Sequence, residues 1–73
     1  MKIIITEHAE KRLKEERQVG ITITDITAAA ESIPGKIPSA TRFRGFLAQS
    51  GRIFDIVAKD TESIRLVITV IGK

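Results

Sequence analysis

Residues 22–35 read TITDITAAAESIPG, and they mark the point where the chain changes from helix to sheet. Thr22 is predicted to be an N-cap, and Asp25, three residues later, forms a shorter version of the capping-box acid. Apolar residues then keep a helical spacing: Ile23, Ile26, Ala29, Ala30 and Ile33. The stretch therefore predicts a helix that begins after Thr22 and ends at the Pro34-Gly35 pair.

A short strand and a first helix are predicted before this stretch. Residues 2–5 are apolar enough for a strand, and Thr6 has the side chain of an N-cap. From Glu7 to about Gln18 the residues are mainly strong helix formers, so we expect a helix over that range. Gly20 is the natural C-cap residue after it.

The residues after the second helix predict a loop and three strands. Residues 34–41 carry two prolines and one glycine, which favours a loop. Residues 42–48 and 52–59 then alternate with a period of two around a short turn, and residues 64–71 are rich enough in β-branched side chains to be the central strand. The expected fold class is α+β in one domain over residues 1–73, ordered β-α-α-β-β-β, with two N-terminal helices packed on an antiparallel sheet.

Alternation along the strands predicts which side chains face the helices. We expect Phe54, Ile56 and Ala58 to share the core face of their strand. If the last strand has no bulge, its core face is expected to hold four apolar residues: Ile64, Leu66, Ile68 and Val70. Arg65 and Thr69 are then expected on its open face. The same rule puts Phe43 and Phe46 on opposite faces and Arg42 and Arg44 on one face.

Composition excludes several classes of protein. The chain has no Cys and one His, which excludes disulfides and Cys-based or His-rich metal sites, and we expect no metal and no cofactor. No apolar run approaches the roughly 18 residues that a membrane helix needs, so we expect a cytoplasmic protein without a membrane partner. The net charge of +3 favours anionic partners such as nucleic acid.

His8 and Arg12 are the first candidate pair for chemistry. They lie four residues apart on the first predicted helix, so their side chains project from one face about one turn apart. An arginine fork can hold phosphate oxygens, and an imidazole can transfer a proton near neutral pH, which together suit a phosphodiester. The alternative is a surface histidine beside an arginine that pairs with Glu15 or Glu16.

The sheet supplies a second candidate site, made of basic residues that could line a groove for a nucleic-acid backbone: Arg42, Arg44, Arg52, Lys59 and Arg65. The alternative is that these charges protect the sheet from aggregation. Asp55 is expected either to anchor Arg44 or Arg65 or to act as an acid or base, and pairing is favoured. Thr69 either donates its hydroxyl to a substrate phosphate or is an ordinary strand residue.

The order of these signals resembles a known family. Residues 5–17 read ITEHAEKRLKEER, followed by Gly20-Ile21, Asp25-Ile26 and a terminal strand that includes VITVI at residues 67–71. This is similar to a family of small uncharacterised bacterial domains whose first helix bears the motif HAxxRLxERGI, and which are similar to RelE/ParE-like toxins and colicin D-like RNases. The resemblance covers nearly the whole chain, and its sharpest part is His8-Ala9 with Arg12-Leu13.

The resemblance implies a metal-independent endoribonuclease that acts on RNA, with a cognate antitoxin or immunity protein as partner. In that case His8 is the general acid or base, Arg12 stabilises charge on the phosphorane, and Thr69 with a sheet arginine orients the RNA backbone. Arg42, Arg44, Lys59 and Arg65 are the expected nucleic-acid contacts. The chain departs from the family in two residues inserted before Gly20 and in the absence of Tyr.

Two other functions stay open from the sequence. One is a non-catalytic nucleic-acid- or protein-binding module on the same fold, and the other is a homodimer that recruits a second chain at an exposed strand edge. The catalytic reading depends on one geometric expectation. The imidazole of His8 and the guanidinium of Arg12 should project together into a shared cleft beside the sheet.

Overall fold

The computed structural model describes all residues 1–73 and has an α+β fold with two helices and a four-stranded mixed sheet. This confirms the α+β class. The elements follow in the order β1 (Lys2–Ile5), α1 (Glu7–Leu13), a 3₁₀ turn (Glu16–Gln18), α2 (Ile23–Ser32), β2 (Thr41–Leu47), β3 (Ile53–Asp60) and β4 (Ile64–Gly72). Both helices pack on one face of the sheet, where Ala9, Ile26 and Ala30 are fully buried.

The strand order in the sheet is β1-β4-β3-β2. The strand β4 is therefore central, as its β-branched composition predicts. The strands β2, β3 and β4 pair antiparallel, but β1 pairs parallel with β4, with Ile3 opposite Arg65. The expected all-antiparallel sheet is wrong at this edge. Two helices separate β1 from the hairpins, and such a crossover allows a strand to lie parallel to its neighbour.

The first helix ends earlier than the helix formers of residues 7–18 predict. Thr6 caps it as expected, since its Oγ1 accepts a hydrogen bond from Ala9 N at 3.2 Å. The backbone then becomes extended at Glu15, with ψ of 151°. Gln18 explains the break, because its side chain is buried against β4 and its Oε1 accepts from Gly72 N at 2.7 Å. A tertiary hydrogen bond thus overrides local helix propensity.

The second helix confirms the predicted capping box. Thr22 Oγ1 accepts from Asp25 N at 3.2 Å, and Asp25 Oδ2 accepts from Thr22 N at 2.9 Å. The other carboxylate oxygen of Asp25 accepts from Gln49 N at 3.1 Å, which ties the helix to the turn between β2 and β3. These bonds, the one from Thr22 N first, hold the pKa of Asp25 below its usual value despite burial.

A β-bulge in β4 reverses the alternation of its side chains. Val57 lies opposite Thr69 and Ala58 lies opposite Val67, so Ile68 is an extra residue on β4. Arg65, Val67 and Val70 therefore face the helices and are buried, while Ile64, Leu66, Thr69 and Ile71 face the other side. The prediction that Arg65 and Thr69 share the open face is wrong, because the bulge lies between them.

A second bulge, in β2, brings the phenylalanines together. Phe43 lies opposite Ile56 and Phe46 opposite Phe54, which leaves two β2 residues against one on β3. One of the two is Gly45, whose φ of +82° favours glycine. Phe43 and Phe46 therefore pack against the core on the same face, and the expectation of opposite faces is wrong. The ring centroids of Phe46 and Phe54 are 5.8 Å apart.

Candidate functional site

The free edge of β4 is covered by side chains from the first helix and the 3₁₀ turn. The strand β1 ends at Ile5, so the later part of β4 has no neighbouring strand on that side. Three side chains make the missing hydrogen bonds: Thr6 Oγ1 donates to Ile68 O at 3.0 Å, Arg12 Nε donates to Val70 O at 3.3 Å, and Gln18 Oε1 accepts from Gly72 N. An open strand edge is thereby protected without another strand.

Arg12 is held at this edge with part of its guanidinium available. Its Nε binds Val70 O, its side chain is 31% exposed, and its two terminal nitrogens have no hydrogen-bond partner in the protein. Glu15 lies 3.9 Å from Nε, so the ion pair of the alternative interpretation is present at the limit of contact. The structure therefore gives Arg12 a fixed position and two unused donor groups.

His8 lies one turn earlier on the same helix and is exposed, with no hydrogen-bond or ion-pair partner. It does not face a cleft. The two hollows of the surface, of about 310 and 440 Å³, lie elsewhere: one between α2 and β2, lined by Thr24, Ala28 and Phe46 among others, and one beside Leu13, Ile21 and Ile23.

The expected cleft shared by His8 and Arg12 is therefore wrong. The reason is the placement of α1 along the edge of the sheet, with Ala9 as its one fully buried residue. The flank of the helix that bears His8 consequently borders solvent. The pair lies on an open surface instead of in a cavity.

Thr69 directly precedes Val70, whose carbonyl oxygen accepts the hydrogen bond from Arg12 Nε. Its side chain is half-buried on the face of the sheet that carries no helix, opposite Val57. Arg12 approaches the same strand from α1 on the other face. The two side chains thus lie on opposite sides of β4, and no pocket encloses both of them.

Arg65 is part of the core. Its Nε and Nη2 donate to the two carboxylate oxygens of Asp60 at 2.7 and 2.9 Å. Its Nη1 donates to the carbonyls of Ala30 and Ile33, and its Nη2 to that of Gly35, each at 2.8 Å. The side chain thus caps the C-terminus of α2, which has no basic residue of its own in the last turn. The predicted nucleic-acid contact at Arg65 is wrong, because every nitrogen faces inward and is bonded.

The Asp60–Arg65 pair predicts a loss of stability in acid. Hydrogen bonds from Arg65 lower the pKa of Asp60 from 3.8 to about 2. A further hydrogen bond, from Ile37 N to Asp60 Oδ2 at 3.0 Å, acts in the same direction. A carboxylate with a lowered folded pKa stabilises the protein above its unfolded pKa, and this contribution is lost as pH falls from about 4 to about 2. We expect the free energy of unfolding in urea to fall over that range, and to fall less in Asp60→Asn. An identical pH dependence in both proteins would contradict the assignment.

Asp55 is paired, as favoured from the sequence, but its partners differ from those expected. Arg42 donates to Oδ2 from Nε at 2.9 Å and lies at 2.7 Å through Nη2, Lys73 Nζ lies at 3.2 Å, and Gly45 N donates to Oδ1 at 3.0 Å. Burial raises the pKa of Asp55, but these contacts together outweigh it and hold the pKa below its usual value. Arg42 is thus occupied by a buried carboxylate.

Of the predicted nucleic-acid contacts, Arg44 and Lys59 are exposed and make no side-chain hydrogen bond or ion pair. Arg52 forms hydrogen bonds within the protein, with Nη1 donating to Val19 O at 2.6 Å and Nη2 to Arg17 O at 2.7 Å.

Two residues with structural roles were missed in the sequence. Lys73 pairs with Asp55, and Gln18 binds the edge of β4. Neither carried a signal, because both act on residues far away in the sequence.

Comparison with protein families, curated proteins and solved structures finds no match to this chain. The structure gathers no group of three or more His, Asp or Glu side chains that could hold a metal ion. Neither helix has the length and apolar character needed to cross a membrane. The resemblance to RelE/ParE-like toxins, the RNA partner and the cytoplasmic location stay predictions.

Proposed function

We propose that this chain is a toxin-type endoribonuclease that cleaves RNA without a metal, with His8 as general acid or base and Arg12 as the phosphate-binding group. The observation that carries the proposal is the state of Arg12. Its Nε is fixed to Val70 O while its terminal nitrogens are free, one helical turn from the exposed imidazole of His8. An arginine fixed in this way loses little freedom when it binds a phosphate.

The proposed reaction uses the RNA 2′-hydroxyl as nucleophile. His8 takes the proton of this hydroxyl as its oxygen attacks the adjacent phosphorus. The bond from phosphorus to the 5′-oxygen of the next nucleotide breaks, that oxygen takes a proton from water, and a 2′,3′-cyclic phosphate remains. Arg12 donates to the non-bridging oxygens, whose charge increases in the transition state. Thr69 is proposed to orient the backbone at the same strand edge.

The openness of the site favours a polymer as substrate. A small molecule needs a pocket that covers most of its surface, and neither hollow borders His8 or Arg12. A single RNA strand can instead lie across the surface and gain affinity from further cations. Arg44 is one such cation: it is exposed on β2, which lies about 10 Å from β4, given the usual spacing of neighbouring strands.

The second candidate function is a non-catalytic nucleic-acid-binding module. It is favoured by the surroundings of His8, whose imidazole has no partner that would fix its orientation. A general base is ordinarily held by a third group. An antitoxin, an immunity protein or a second copy of the chain as partner would suit either function.

Cleavage of RNA and DNA of one sequence separates the two functions. In EDTA, we expect the protein to cut end-labelled single-stranded RNA, to leave 2′,3′-cyclic phosphate ends, and to leave the DNA strand intact because it lacks the nucleophile. Cutting of both strands would contradict the proposed chemistry. Retention of uncut RNA that weakens steeply with salt would favour the binding module.

A further inference from the structure

The sheet has a second face that no helix covers, and it is largely aliphatic. We call this the open face. The register of the strands assigns its apolar members as Ile4 on β1, Leu47 on β2, Ile53 and Val57 on β3, and Ile64, Leu66 and Ile71 on β4. Ile53 is 48% exposed and Leu47, directly opposite it, is 71% exposed. The bulge at Ile68 creates this face, because it turns Ile64 and Leu66 away from the helices.

The accessible charges on the open face are all positive. Lys2, Arg42 and Lys59 lie on it by register, and Lys73 reaches Asp55 from the end of β4. The single carboxylate, Asp55, is fully buried beneath Arg42 and Lys73. Apolar side chains are thus bordered by cations without an accessible acid among them, a pattern that suits an apolar surface with acidic flanks.

The chemistry of the face argues against RNA as its occupant. Nucleic-acid bases are bound on sheets chiefly by aromatic stacking. All three phenylalanines of this chain, Phe43, Phe46 and Phe54, face the helices instead. The open face therefore offers branched aliphatic side chains, which pack well against other aliphatic groups but provide no flat surface for a base.

A second copy of the chain fits no better. Arg42 and Lys73 are already paired with Asp55, but two open faces placed together would bring Lys2 and Lys59 of both copies to one interface with no free carboxylate on the face to compensate them. Like charges across an interface select against self-association.

We propose that the open face binds an amphipathic helix of another protein, with an aliphatic stripe toward the sheet and acidic residues along its sides. The backbone groups of β3 and β4 are already used within the sheet, so an occupant must bind through side chains, as a helix does. The other face of the same sheet is covered in this manner by α1 and α2. The helix would lie over Val57 and Leu66, with its carboxylates toward Lys2 and Lys59. This inference does not depend on RNase activity.

Three synthetic helical peptides test the inference. The first has a leucine stripe flanked by glutamates, the second replaces the glutamates by lysines, and the third keeps the glutamates but replaces the leucines by glutamines. We expect only the first to bind the full chain in a fluorescence titration. In amide NMR spectra, the shifts that it causes should centre on Val57, Leu66 and Ile71.

Two variants and a matched control complete the test. Ile53→Ser removes an exposed apolar side chain from the open face and should weaken binding of the first peptide about tenfold. Lys59→Gln should also weaken it, by about threefold at low salt. Val19→Ser alters another exposed apolar residue, 65% exposed, which lies away from the open face between the 3₁₀ turn and α2, and it should leave binding unchanged.

Several results would overturn the inference. They are binding of none of the peptides, equal binding of the glutamate and lysine peptides, or an equal effect of Ile53→Ser and Val19→Ser. Concentration-dependent dimerisation that Ile53→Ser abolishes would identify a second copy as the occupant. Amide shifts centred on Val57 and Leu66 with single-stranded RNA would identify nucleic acid instead.

Discussion

Replacing Arg65 by alanine is expected to lower the free energy of unfolding by about 3–5 kcal/mol, the usual cost of breaking a buried ion pair. The substitution removes both hydrogen bonds to Asp60 and the donors to the carbonyls of Ala30, Ile33 and Gly35. A buried carboxylate is left without its cation, and the C-terminus of α2 loses its cap. At roughly 0.05–0.15 kcal/mol per residue, a chain of 73 residues has a free energy of unfolding of about 4–11 kcal/mol, so the substitution removes a large share of its stability.

Urea unfolding followed by circular dichroism measures this effect. Arg44→Ala is the matched control, because Arg44 is exposed without a side-chain partner and should shift the unfolding free energy by less than about 0.5 kcal/mol. Arg65→Lys keeps the charge but loses the planar fork, so it should fall between the two. An Arg65→Ala protein as stable as Arg44→Ala would show that the pair does not hold the fold.

Replacing His8 by alanine is expected to slow RNA cleavage about 10²–10⁴-fold, the usual contribution of a general acid or base. The fold should be unaffected, because His8 is exposed and its side chain makes no hydrogen bond or ion pair. Rates of cleavage of one labelled RNA, measured in EDTA for both proteins, give the ratio. Equal unfolding curves establish that any loss is chemical.

Lys14→Ala is the control for His8→Ala, since Lys14 is an exposed cation at the other end of α1 and should leave the rate within about twofold. Arg12→Ala is a poorer test, because it also removes the hydrogen bond that covers Val70 O at the strand edge. Arg12→Lys keeps the positive charge and separates the two effects better. Cleavage that persists unchanged in His8→Ala would remove this residue from the mechanism.

Local signals in the sequence are sufficient for much of the fold. The capping box at Thr22 and the Pro34-Gly35 stop lie within or next to α2, and its observed range of Ile23–Ser32 follows from them. The β-branched run of β4 likewise predicts a central strand. The early end of α1 could not be predicted from local signals, because it depends on the hydrogen bond between Gln18 and Gly72, which are 54 residues apart in the sequence.

The two bulges account for most of the errors in predicted side-chain direction. Ile68 does not differ from a regular strand residue, so the bulge in β4 carried no signal in the sequence, whereas Gly45 inside β2 is the kind of residue that marks a bulge and was overlooked. One extra residue reverses the alternation between the two sides of the bulge, and so Arg65, before Ile68, faces the core while Thr69, after it, faces the open side. In the candidate site, the spacing of His8 and Arg12 correctly predicted that both residues lie on one helix, one turn apart. The absence of a cleft depends on how α1 lies against the sheet, which spacing does not encode.

The most direct test of the central proposal is whether His8 and Arg12 contact the same phosphodiester. A single-stranded RNA with a 2′-deoxy nucleotide at the cleavage position, which cannot react, is titrated into ¹⁵N-labelled protein. We predict that the imidazole signals of His8 and the Nε–H signal of Arg12 shift together at the same RNA concentration. Binding that moves the signals of Arg44 and Lys59 but leaves both of these unchanged would contradict the proposed site.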